Sequence, residues 1–99
     1  MATNTVVLEG IVINRDALRA TPGGTAVLNL TLKHESQQRE GQQDVTVEIE
    51  MNAVAFAEVA EALNALKLND NISVKGFLSR KNRYSPTPIL HITQFKIIK

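Results

Sequence analysis

A chain of ninety-nine residues makes one domain, residues 1–99, with a core so thin that self-association would help to stabilise it. Its 43% hydrophobic content excludes wholesale disorder, and the absence of cysteine argues for the reducing cytoplasm over a small secreted, disulfide-held scaffold. The net charge of +1 hides a split: residues 1–66 carry nine acids against four cations, net −5, whereas residues 67–99 carry seven cations against one acid, net +6.

Such asymmetry points to one end that faces a polyanion and a remainder that does not. No charged and apolar leader precedes Val6, and no apolar run approaches the length of a membrane span. The first strand reads Val6 to Ile13, dense in β-branched residues. Gly10 in its middle would weaken a flat strand but suits one that coils or bulges sharply. Arg19 lies in the loop that follows, and Thr21-Pro22-Gly23-Gly24 is a turn.

The second strand alternates, with Leu28, Leu30 and Leu32 on one face and Asn29, Thr31 and Lys33 on the other. Polar residues from Gln37 to Gln43 predict a hairpin loop. The third strand turns Val45, Val47, Ile49 and Met51 inward and Thr46, Glu48 and Glu50 outward. Asn52 then predicts an N-cap for a helix over Ala53–Leu66, with Ala55, Val59, Ala62, Leu63 and Leu66 on its buried face. Lys67 suits the C-terminal end of the helix dipole, and Asn69-Asp70-Asn71 is a turn.

Strand four, Ile72 to Leu78, again carries a central glycine, Gly76. Strand five, Ile89 to Ile98, slips in its alternation: Leu90 and Ile92 share one face, Phe95 and Ile97 the other. A β-bulge near Gln94 reconciles them. Three strands, a helix and two strands is the order of the OB-fold, so the predicted class is all-β with one helix, a five-stranded Greek-key barrel.

Catalysis has little to stand on. The two histidines, His34 and His91, lie on separate strands and read as packing or hydrogen-bonding residues. Cysteine is absent, no cluster has metal-ligand spacing, and no glycine-rich phosphate loop is present. Glu48 and Glu50 read as solubilising surface acids. The expectation is a protein that is not an enzyme and needs no cofactor or metal.

Nucleic-acid binding has better support. The loop after strand four runs Arg80-Lys81-Asn82-Arg83-Tyr84-Ser85-Pro86-Thr87-Pro88. Three cations in four residues followed by a ring supply charge for phosphates and a π-surface for a base. Lys33, on the outer face of strand two, and Arg19 lie where a single strand crossing such a barrel would pass. Glu48 and Glu50 would repel that strand.

In Leu8-Glu9-Gly10, Thr21-Pro22-Gly23-Gly24, Leu32-Lys33-His34-Glu35-Ser36, Val74-Lys75-Gly76-Phe77-Leu78-Ser79 and Ile89-Leu90-His91, the chain resembles the bacterial primosomal replication protein N family. The resemblance implies a homodimer of OB-folds that binds single-stranded DNA in replication restart, contacts the restart helicase and hands the complex to later loading factors. It assigns the DNA contacts to Arg19, Lys33, Arg80, Lys81 and Arg83, with Tyr84 beside them. The sequence stops at Ile97-Ile98-Lys99, inside or just after its last strand, so a bare barrel is expected, without the acidic tail that a true single-stranded DNA-binding protein would carry. Family members place a ring on strand three, where this sequence offers Val45, Val47 and outward acids, so less stacking is expected. The rival readings are an OB-fold protein-interaction module and an RNA-binding OB domain.

Overall fold

In the computed structural model, residues 2–98 are described, so Met1 and the chain end at Lys99 lie outside the description. The strands are β1 (Val6–Arg15), β2 (Arg19–Ala20), β3 (Ala26–Glu40), β4 (Gln43–Phe56), β5 (Asn71–Arg80) and β6 (Pro88–Ile97), with one helix, α1 (Ala57–Asn64), between β4 and β5. They pair in the order β1-β5-β6-β4-β3-β2, and a further β1–β3 pairing closes the five long strands into a barrel. β1 achieves the closure by serving two neighbours, β5 through Val6–Ile11 and β3 through Ile11–Arg15. Gly10 sits at that changeover, where an added Cβ would lie 2.9 Å from the Lys33 carbonyl oxygen. Only a residue without Cβ lets the two backbones cross so closely.

The barrel interior holds Val12, Leu28, Leu30, Leu32, Ile72, Val74, Leu90 and Ile92, and α1 adds Ala60 and Leu63. The predicted alternation of β3 is therefore the observed one, with Leu28 and Leu32 fully buried. Each such leucine contributes roughly 1.5–3 kcal/mol of burial free energy. The bulge is also where the slip in alternation puts it. Lys75 pairs Gln94 but Gly76 pairs Ile92, which leaves Thr93 as the extra residue of β6.

Four expectations change. The helix does not begin at Asn52. Residues 51–56 continue β4, and Ala53, Val54 and Ala55 pair with β3 on one side and β6 on the other. Two ladders of backbone hydrogen bonds outweigh the helix propensity of alanine, which is a weak preference. The chain then turns sharply through Ala57, at φ 58°, and α1 buries Ala60 and Leu63 while Ala62 faces solvent.

Lys67 does not serve the helix end, whose last turn carries no basic residue. Instead Arg15 reaches across from β1, and its Nη1 donates to the carbonyl oxygens of Leu63 at 3.0 Å and Leu66 at 2.6 Å. Leu63 is in the last turn of α1, where its carbonyl otherwise accepts only the Leu66 N–H, and Leu66 lies just beyond the helix end, so the guanidinium sits at the negative end of the helix dipole. Arg15→Met keeps the stem but removes the charged donor from both carbonyls, leaving Leu63 only the Leu66 backbone N–H at 3.2 Å and taking from Leu66 its 2.6 Å partner. Thermal unfolding should show a loss of about 1.5–3 kcal/mol, and an unchanged melting temperature would refute the capping role.

The polar segment from Gln37 is not a loop. β3 and β4 stay in register from Val27↔Phe56 to Glu40↔Gln43, so only Gly41 and Gln42 turn. Beyond Lys33↔Glu50 this hairpin has no third strand among the described residues and projects as a two-stranded ribbon. Val45 and Val47 share the core-facing side as predicted but stay half-buried, and Ile49 is exposed. His34 moors the ribbon, with Nδ1 2.7 Å from the Glu9 carbonyl oxygen and Nε2 2.7 Å from Ser36 Oγ. Arg19, finally, is not in a loop: β2 pairs it with Val27 of β3.

Candidate nucleic-acid interface

The outer faces of β3, β4, β5 and β6 enclose an open groove of about 550 Å³. Its floor is polar: Asn29, Thr31 and Asn52 line it, and Thr31 Oγ1 donates to Asn52 Oδ1 at 3.2 Å. Arg19 comes from β2, and Arg80 and Lys81 from the end of β5 and the loop beyond; all three line the groove and are solvent-exposed. Asp16 is the one acid among the lining residues. Three guanidinium or ammonium groups around a polar trough suit a chain of phosphates with bases turned inward.

The other predicted residues sit differently. Arg83 and Tyr84 do not line the groove but pair with each other at the loop tip. Arg83 Nη2 donates to the Tyr84 hydroxyl at 2.8 Å, and its guanidinium carbon lies 5.0 Å from the ring centroid. Arg80 Nη1 donates to the Arg83 carbonyl oxygen at 3.2 Å, and Asn82 Oδ1 accepts from the Tyr84 backbone N–H at 2.9 Å. The loop is thus organised by its own polar contacts, with Tyr84 81% exposed. Lys33 lies on the outer face as expected, but next to a separate, smaller hollow with Glu9 and Glu35. Its Nζ is 3.5 Å from Glu35 Oε1.

A row of rings escaped the sequence reading. Phe77 of β5, His91 of β6 and Phe56 of β4 stack side by side on the outer face. Centroid distances are 4.8 Å for Phe77–His91 and 6.0 Å for His91–Phe56, with planes inclined by 13° and 19°. Phe56 and His91 line the groove. Phe56 and Phe77 remain 44% and 39% exposed, and apolar rings kept in contact with water mark an interaction surface. Strand three therefore does present a ring, contrary to expectation. It was hidden because Phe56 fell inside the predicted helix; continuing the alternation of Glu48 and Glu50 through Asn52 and Val54 reaches it.

Among the described residues no group of three or more His, Cys, Asp or Glu gathers to hold a metal ion, and no helix is long and apolar enough to cross a membrane.

Comparison with known proteins agrees with this architecture. Residues 4–94 match the family described as another single-strand binding protein family. Replication restart protein PriB of Neisseria gonorrhoeae is 37% identical over 97 residues, covering 98% of this chain and 96% of that protein. The solved structure of PriB from Ralstonia solanacearum superposes with a TM-score of 0.89 at 26% identity, over 97% of this chain and 98% of that one. Wild-type single-stranded DNA binding protein from Thermus aquaticus gives a TM-score of 0.78 at 25% identity, over 98% of this chain and 50% of that one. The barrel is thus an OB-fold, and the chain belongs to the primosomal replication protein N family, the PriB replication restart proteins.

Proposed function

We propose that this protein is a non-enzymatic, homodimeric accessory factor of replication restart that holds single-stranded DNA in the cytoplasm. In this reading it bridges the DNA to the restart helicase and later loading factors. One observation carries the DNA-binding part: Arg19, Arg80 and Lys81 surround the same groove into which Phe56 and His91 present their rings. Charge for phosphates and a stacking row for bases, on a barrel of this fold, are what a sequence-tolerant grip on a single strand needs. Lys33, beside the smaller hollow and 3.5 Å from Glu35, stands at the margin of the basic track, and Arg83 with Tyr84 adds a contact beyond the groove.

The bridging role and its partners rest on the family resemblance and on the name replication restart protein carried by the relatives. Two features support a homodimer. Among the described residues, Val6–Gly10 of β1 pairs with β5 alone, and the ribbon leaves Val45 and Val47 only half-buried and Ile49 exposed. Sedimentation equilibrium tests that part directly.

The DNA-binding part is tested by fluorescence anisotropy with matched single-stranded DNA, single-stranded RNA and duplex DNA at two salt concentrations. Tight, salt-sensitive binding to single-stranded DNA and weak binding to duplex is the expected pattern. Preference for RNA would shift the reading to an RNA-binding domain, and binding to none of them would leave a protein-interaction module. Phe56→Ala should weaken binding by about 1–3 kcal/mol, one stacked base, while the salt dependence stays as it was. A change in slope instead would mean that the ring only supports the cations.

A further inference from the structure

The outer face of the β3–β4 ladder changes character along its length. Asn29 with Val54 and Thr31 with Asn52 form the groove floor, but the next rungs are Lys33 with Glu50 and Glu35 with Glu48. Two glutamates directly opposite on one face destabilise an antiparallel ladder. Lys33, the cation at hand, lies 3.5 Å from Glu35, and among the described residues neither Glu48 nor Glu50 has an ion pair. Both glutamates of the rung and Glu50 are exposed. Apart from the exposed Lys33–Glu35 contact, which is worth little, the like-charged rung gains the fold nothing, which is the pattern of a residue kept for another purpose.

We propose that the Glu35–Glu48 rung, with Glu50 ahead of it, ends the nucleic-acid track and so sets how many nucleotides one protomer holds. The inference rests on the single-strand-binding reading above. Rungs on one face are ~6.8 Å apart, two residues of strand, and the Debye length is ~10 Å at 0.1 M salt. A phosphate over Thr31 and Asn52 has Lys33 and Glu50 on the next rung, which offset each other, whereas the next phosphate along the ribbon meets the Glu35–Glu48 rung within a Debye length. Arg19, Arg80 and Lys81 pull at the other end of the same face. The strand is drawn across the barrel towards β5 and β6 and kept off the ribbon. The fence acts by repulsion, the half of a specificity device that attractive contacts cannot supply.

The test compares wild type, E35Q/E48Q and E58Q/E61Q, the last removing the same charge from exposed positions of α1. Each is titrated by anisotropy with oligothymidylates of about 4 to about 16 nucleotides. Wild-type affinity should level off with length. E35Q/E48Q should bind the shortest oligonucleotide unchanged and keep tightening beyond that length as the repulsion is removed, its salt slope steepening by at most about 0.7, for the one phosphate that Lys33 can neutralise once Glu35 is gone. E58Q/E61Q should level off with the wild type. Equal tightening at every length, or the same lengthening in E58Q/E61Q, would reduce the effect to net charge and overturn the proposal. If wild type binds single strands and E35Q/E48Q keeps its length dependence, the boundary alone is wrong. If wild type binds no single strand at any length, the binding reading falls and the boundary with it.

Discussion

Replacing Arg19, Arg80 and Lys81 together by alanine should weaken binding to single-stranded DNA about a hundredfold near 0.1 M salt. Each phosphate neutralised on a single strand contributes a slope of about 0.7 in log K against log salt. Losing three such contacts removes about 2 from the slope, and over the decade between 0.1 M and the 1 M reference that is a factor of roughly 100. All three side chains are solvent-exposed and outside the core, so the unfolding transition should stay where it is. Anisotropy at four or five salt concentrations reads slope and affinity at once. Arg83→Ala is the informative companion. Its guanidinium already serves the Tyr84 hydroxyl and ring away from the groove, so its effect on the slope should not exceed one contact, about 0.7. If the triple variant keeps the wild-type slope while Arg83→Ala loses it, the grip belongs to the loop tip and not to the groove.

The charges and the rings of this site fail in different ways, which lets them be separated. Cations act through released counterions and lose their hold as salt rises. On the proposed reading, stacking on Phe56 and His91 should persist at high salt, because it depends on ring contact and desolvation. A protein that combines three groove cations with a short ring row should then keep a residual, salt-resistant hold on a strand.

Much of the barrel was legible because burial on one face imposes period two. Leu28, Leu30 and Leu32 announce β3, and the mismatch of Ile92 with Phe95 announces the extra residue that the structure identifies as Thr93. The helix start was misread for an equally physical reason. Ala53 and Ala55 are fully enclosed between β3, β6 and α1, so their small size is a packing requirement of a narrow barrel. In the sequence the same alanines look like helix propensity. The ribbon looks like loop in the sequence because its tip buries neither face, and only backbone pairing keeps Gln37 to Gln43 extended. Two-residue β2 leaves no period at all. The basic residues stood out by composition. Which of them share a groove depended on β2 and on the end of β5, and the ring row depended on the true end of β4. Neither arrangement is encoded in local spacing.

Gly76→Ala should be the most damaging single methyl in the molecule. At this position β5 passes the bulged part of β6, and an added Cβ would fall inside the His91 carbonyl oxygen, with the Ile92 Cα only 3.2 Å away. The obstructing atoms are backbone, so no rotamer change relieves the clash and one of the two strands must move. Overpacking that side chains can absorb costs about 1–3 kcal/mol; here the loss should exceed about 3 kcal/mol, lowering the melting temperature of a domain this size by roughly 12 °C or more. Gly10→Ala is the graded control. Its Cβ would meet the Lys33 carbonyl oxygen at 2.9 Å, close enough to strain β1 against β3 but not to occupy the same space. Thermal unfolding followed by circular dichroism should rank wild type above Gly10→Ala above Gly76→Ala, and a Gly76→Ala protein melting within a degree or two of wild type would refute the account of the crossing. The position also links fold to site. His91, whose carbonyl is displaced, carries the central ring of the row between Phe77 and Phe56. Any Gly76→Ala protein that still folds should therefore lose stacking on the groove while keeping the salt dependence set by Arg19, Arg80 and Lys81.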